Sequence, residues 1–90
     1  MNSEQFNLAA DVVKQLRQKP DQEELLKLYG LFKQAKLGDN NKEKPGIFNF
    51  QEKYKWESWN NCKGMNKESA EKDYIILVNN LIKKYKLKKK

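Results

Sequence analysis

Leu28–Asp39 reads LYGLFKQAKLGD. Leu28, Tyr29 and Phe32 recur at spacings of three and four, the period of a helix with one apolar face. Upstream, Asp21 and Glu24 form a capping-box-like pair that opens this helix ahead of Leu25, and Gly38 is placed to close it. Lys33 falls four residues after Tyr29, on the same face. An ammonium group and a phenol side by side on a hydrophobic stripe call for a chemical reason.

The helical period recurs outward from this segment in both directions. Phe6, Ala9, Ala10, Val13 and Leu16 trace an earlier apolar stripe, widened by Leu8 and Val12, with Ser3 as N-cap. Pro20 ends the connection to the second helix. Beyond Gly38, DNNKEKPGIFN (39–49) is rich in turn formers and predicts a long ordered crossover, with Ile47 and Phe48 tacking it to the core. A short third helix is predicted from about Gln51 to Lys63, with Trp56 and Trp59 on one face and Gly64 as its stop. Asn66 caps a fourth, the longest, whose buried stripe is Ala70, Tyr74, Leu77, Val78, Leu81 and Tyr85. Strand alternation is absent at any convincing length, so the chain reads as all-α.

The 90 residues predict one domain spanning 1–90, near the size at which a single core suffices without disulfides or metals. The net charge of +7 invites a nucleic-acid reading, but six lysines lie within the last eight residues and leave the rest of the chain at about +1. The basic character therefore belongs to a tail at about 83–90, expected to fray. It favours a local patch over a duplex-binding face, and no nucleic-acid partner is expected. The chain has no histidine, which removes the usual general base, metal ligand and pH switch. Cys62, the only cysteine, forms no internal disulfide and lacks a histidine to activate it, so it reads as an ordinary buried or half-buried thiol. The longest apolar run, Tyr74–Val78, is far short of the ~20 residues that span a bilayer. The N-terminal MNSEQFNLAA lacks a basic region followed by an apolar core, and a cytoplasmic location is expected.

Two lysines stand beside aromatic helical faces: Lys33 after Tyr29, and Lys55 between Tyr54 and Trp56. A phosphate suits this setting, with a cation as point charge, a phenol hydroxyl as donor and apolar walls that lower the local dielectric. The alternative is that both lysines bury their stems and carry their heads to water. Trp56 and Trp59 could stack on bases or anchor the core. Tyr74 could be a core residue with its hydroxyl at the rim, or a ligand contact. Glu23, Glu24, Asp39 and Glu43 read as caps and solvated charges; no catalytic pair, metal set or Gly-rich phosphate loop is visible.

Taken together, KPDQEELLKLYGLFKQAKLGD (19–39), the PG turn in NKEKPGIFNF (41–50), KYKWESWNNCKGMNKESA (53–70) and the later Tyr74 resemble the acyl-CoA-binding protein family from Phe6 to about Tyr85. The resemblance implies a four-helix bundle with the long crossover between helices 2 and 3. It implies a monomeric, non-enzymatic carrier of one long-chain acyl-CoA ester, with no cofactor, in transient contact with membranes or acyl-CoA-using enzymes. It would set Tyr29, Lys33 and Lys55 on the nucleotide 3′-phosphate, Lys14 and Tyr74 along the nucleotide site, and Leu25, Leu26 and Tyr54 along the acyl groove. Phe32 stands where many members carry a second tyrosine, keeping a stacking surface without its hydroxyl. Lys36 is an unusual addition beside the site, and the basic tail exceeds the family pattern. Two other readings stand against this one: the tail as a dock for anionic lipid or nucleic acid, and a thioesterase, which the missing histidine disfavours.

Overall fold

Helix α1 spans Glu4–Val12, α2 Gln22–Leu37, α3 Phe50–Asn60 and α4 Lys67–Tyr85 in a computed structural model that describes residues 2–88. Each start is fixed by the side chain that the local sequence supplies. Ser3 Oγ accepts from the Phe6 N–H at 3.2 Å, and Asn66 Oδ1 accepts from the Ser69 N–H at 2.8 Å. The Asp21–Glu24 capping box closes in both directions at 2.9 and 3.0 Å. At the other end of α2, Gly38 takes φ of 80°, a conformation that a side chain disfavours.

Helix α2 is the hub, packing against both α3 and α4, while α1 lies on α4. The core joins Phe6, Leu28, Leu31, Ala35, Ala70, Tyr74, Val78 and Leu81. At its centre the Phe6 ring stacks on Phe32 at 5.5 Å and tilts against Tyr74 at 5.0 Å. No described helix is long and apolar enough to cross a membrane.

Four expectations about the helices are corrected. The first helix stops at Val12, followed by one 3-10 turn over Val13–Gln15. Leu16 is extended and buried instead of continuing the stripe. Leu8 does not widen the stripe either: two residues from Phe6 carries it about 200° around the helix, and it is 63% exposed. The third helix begins one residue earlier than predicted and ends at Asn60, and turns lead on to Gly64 at φ 91°.

The crossover is ordered, but not by its apolar residues. Ile47 is 66% and Phe48 91% exposed. The fasteners are polar: Trp56 Nε1–H donates to the Lys42 carbonyl at 2.7 Å, and Trp59 Nε1–H to that of Gly38 at 2.8 Å. Asn40, buried, bridges the Lys42 N–H and the Trp56 carbonyl. An indole satisfies its donor as it buries its ring, so both tryptophans anchor the loop that passes over them.

The tail, expected to fray, is tied down through Lys88. Lys83 and Lys84 lie within α4, Leu87 pairs antiparallel with Leu16, the Arg17 N–H donates to the Lys86 carbonyl at 2.8 Å, and the Lys88 N–H to that of Gln15 at 2.9 Å. Lys89 and Lys90 lie outside the described residues. Glu24 adds a side-chain clamp, accepting from the Tyr85 hydroxyl at 2.6 Å and from Lys84 Nζ at 2.9 Å. The Tyr85 bond, then the Lys84 bond, pull its carboxyl from 4.5 down to about 2. Because the folded state holds the proton less tightly than the unfolded chain, this clamp stabilises fully above pH 4.5 and is lost as pH falls through about 2. Thermal midpoints of wild type and Glu24→Gln are therefore expected to differ at neutral pH and to converge over that acid range; a gap that persists unchanged would contradict the clamp.

Helices α2 and α3 meet backbone to backbone at Gly30. A Cβ there would sit on the Ser58 carbonyl oxygen and within 2.8 Å of its carbon. Alanine gains roughly 1 kcal/mol in helix propensity over glycine, yet the contacted atoms are main chain and cannot rotate away. Gly30→Ala is expected to cost a net ~1–3 kcal/mol as the helices part. Urea denaturation checks this, and a stabilised variant would show that the crossing opens freely.

Candidate functional site

The Gly30–Ser58 crossing sets the next residues of both helices side by side. Tyr29 and Lys33 are one turn apart on α2, and Lys55 lies three residues before Ser58 on α3. Lys33 Nζ stands 5.7 Å from the Tyr29 ring centroid and Lys55 Nζ 5.6 Å from the same centroid. Two ammonium groups from separate helices thus approach one phenol ring. Burial, then the Glu52 carboxylate, push the Tyr29 hydroxyl above its ordinary value of 10.0, so at neutral pH it stays a protonated donor. The acid beside this group is Glu52, whose oxygen lies 3.8 Å from Lys55 Nζ. The combination offers an anion two charges and a hydroxyl proton in a half-buried setting.

The aromatic surface continues from there. Lys33 Nζ is also 5.8 Å from the Trp59 ring, and Lys42 Nζ from the crossover is 5.9 Å from that same ring. One turn on, Phe32 lies against both Phe6 and Tyr74, and Lys36 Nζ sits 5.6 Å from its centroid. Tyr74 is a core residue, 4% exposed, and burial raises its hydroxyl pKa.

The other sequence-derived candidates do not share one pocket. Lys14, in the 3-10 turn, lines a hollow of about 420 Å³ with Leu25, Leu28 and Pro20. Leu26 lines a different cavity of about 600 Å³ between α2, α3 and α4, floored by Leu31, Met65, Ile76 and Leu77. Tyr54 is 43% exposed on α3. Cys62 donates to the Ser58 carbonyl at 3.6 Å, and burial, then Asp73, raise its pKa, which disfavours the nucleophilic thiolate. Among the described residues no group of three or more His, Cys, Asp or Glu could hold a metal ion.

Sequence reasoning gave no role to Lys42, which reaches the aromatic surface only because the crossover folds back over Trp56 and Trp59. It also missed what Gln34 does in KQAKLGD. Gln34, fully buried, donates to Asp39 Oδ1 at 2.8 Å and to the Met65 carbonyl at 2.7 Å. Asp39 accepts a second bond from the Gly64 N–H at 2.9 Å. Those two bonds, the Gly64 one first, hold its carboxyl below the usual range. This half of the motif staples the end of α2 to the α3–α4 turn.

The sequence profile described as acyl CoA binding protein matches residues 3–78. The chain belongs to the acyl-CoA-binding protein family. It is 56% identical over 85 residues to the acyl-CoA-binding protein of Saccharomyces cerevisiae, covering 94% of this chain and 98% of the relative. It is 51% identical to the Drosophila melanogaster acyl-CoA-binding protein homolog, covering 94% and 99%. Its fold is similar to the crystal structure of Oryza sativa acyl-CoA-binding protein 2, with TM-score 0.87, 41% identity and coverage of 90% and 88%. It is also similar to the solution structure of the yeast protein, with TM-score 0.74, 55% identity and coverage of 94% and 99%. The four-helix, all-α architecture is that of acyl-CoA-binding protein structures, and the family is defined by binding, not by a reaction.

Proposed function

We propose that this protein binds long-chain fatty acyl-CoA esters without altering them and acts as a monomeric cytoplasmic pool and carrier. The observation that carries the reading is the approach of Lys33 and Lys55, from two helices, to the single Tyr29 ring. In this reading the two ammonium groups and the Tyr29 hydroxyl hold the 3′-phosphate of the nucleotide. Phe32 and Tyr74 lend the aromatic wall, Lys14 lines the nucleotide site from the hollow it shares with Leu25, and Leu26 and Tyr54 border the acyl chain. The Leu26 cavity supports a place for that chain, since about 600 Å³ falls within the range of roughly 300–1,000 Å³ usual for ligand sites.

The energetics divide the labour. Each buried methylene contributes ~0.8 kcal/mol, so roughly ten supply about 8 kcal/mol and dominate affinity. Charge-assisted phosphate contacts add ~1.5–3 kcal/mol apiece and decide which carrier is accepted. Isothermal titration is therefore expected to rank a long-chain acyl-CoA well above both free CoA and the free fatty acid. A fatty acid that binds as tightly as its CoA ester would overturn the head-group reading. Release of free thiol from bound acyl-CoA would overturn the non-enzymatic one.

A further inference from the structure

Helix α2 carries the aromatic–ammonium pair twice. Tyr29 and Lys33 form the first, at 5.7 Å; Phe32 and Lys36 form the second, at 5.6 Å, with the same four-residue spacing. Three residues of offset displace the second pair by about 4.5 Å along the axis. We propose that Lys36 is a further head-group residue, supplying the turn above Tyr29 and Lys33 with a third cation for the phosphates of the CoA moiety; this rests on the head-group site proposed above.

Three observations bear on Lys36. First, its charge is available: no ion pair among the described residues includes it, whereas Lys55 lies 3.8 Å from Glu52, Lys44 from Glu57, and Lys84 2.9 Å from Glu24. Second, its platform is anchored. Phe32 is held between Phe6 and Tyr74, at 5.5 and 5.8 Å, and both of those residues are buried. The surface beneath the ammonium is therefore set by the core. Third, Phe32 has no hydroxyl, so this turn offers an anion no phenolic donor, and Lys36 supplies the charge there.

Chemistry on the ligand side calls for more than one cationic subsite. A CoA head group bears a 3′-phosphate and, separated from it by the ribose, a diphosphate. Lys33 and Lys55 converge on one ring and suit one phosphate. A cation one turn along suits either the flank of that phosphate or the diphosphate beyond it. The competing reading is that Lys36 only complements the C-terminal end of the α2 dipole, since it lies in the last turn. That role would show in folding stability and leave ligand affinity untouched.

The test is titration of Lys36→Met, which keeps the apolar stem, with palmitoyl-CoA and with 3′-dephospho-palmitoyl-CoA at two salt concentrations. Lys36→Met is expected to weaken palmitoyl-CoA binding about fivefold, less than the roughly tenfold or more of a half-buried charge-assisted contact because the side chain is exposed. The salt dependence should also become shallower. A loss seen with both ligands assigns Lys36 to the diphosphate, and a loss confined to palmitoyl-CoA assigns it to the 3′-phosphate; either supports the proposal. Lys72→Met, which removes an equal charge from the exposed side of α4, controls for long-range attraction, and Lys36→Arg should retain most of the affinity. An unchanged affinity in Lys36→Met, or a loss matched by Lys72→Met, overturns the proposal. Lys33→Met in the same series separates the failures. If it binds weakly while Lys36→Met is unaffected, only the third cation is wrong; if both bind normally, the head-group site itself is wrong.

Discussion

Phe6→Ala is expected to lower folding stability by ~3–5 kcal/mol, as large as any single change in the chain. Phe6 has no exposed surface and joins α1 to the other helices through rings, stacked on Phe32 of α2 at 5.5 Å and tilted against Tyr74 of α4 at 5.0 Å. Alanine would leave a void bounded by residues of three helices, which cannot all close on it. Nor has α1 an independent reserve. Its nine residues fall below the ~12–15 at which an isolated helix becomes even marginal in water, so docking holds it together. Domains of this kind are typically stable by ~5–15 kcal/mol, so the variant would lose a large share of its margin. Denaturant unfolding measures the loss directly, and a cost under about 1 kcal/mol would mean that α1 contributes little to the native state. Phe32 also rests on this ring, so the variant ties core packing to the site.

What the sequence disclosed and what it concealed divide by range. The Ser3, Asp21 and Asn66 caps involve residues three apart, and the structure forms all of them where the local pattern placed them. The pairing of Leu16 with Leu87 links residues about seventy positions apart, and no periodicity in either segment announces it. Ile47 and Phe48 misled for another reason. Apolar identity states a preference for burial but not whether a neighbour is there to provide it, and the crossover is held by indole N–H groups instead. At the candidate site, the Tyr29–Lys33 pair was legible because both residues share one helical face. The arrival of Lys55 beside them depends on Gly30 letting α3 approach, a three-dimensional fact that appears in sequence only as a glycine inside a helix.

The second large effect concerns binding. Lys33→Ala and Lys55→Ala are each expected to weaken acyl-CoA binding by ~1.5–3 kcal/mol, about 10- to 150-fold, with folding stability little changed. Both side chains are half-buried at the surface of the core, not within it, and Lys55 gives up a 3.8 Å contact with Glu52 and its place 5.6 Å from the Tyr29 ring. The informative variant is the double. If the two ammonium groups share one phosphate, as their common approach to Tyr29 implies, removing the first already degrades the contact that the second completes. The combined loss should then fall short of the sum by ~0.5 kcal/mol or more. The same three variants titrated with a 3′-dephospho ester should bind it almost as wild type does, because the group they serve is gone. Strictly additive losses that persist with the dephospho ligand would place the lysines on separate parts of the head group. Unchanged affinity in all three would remove the phosphate from this site.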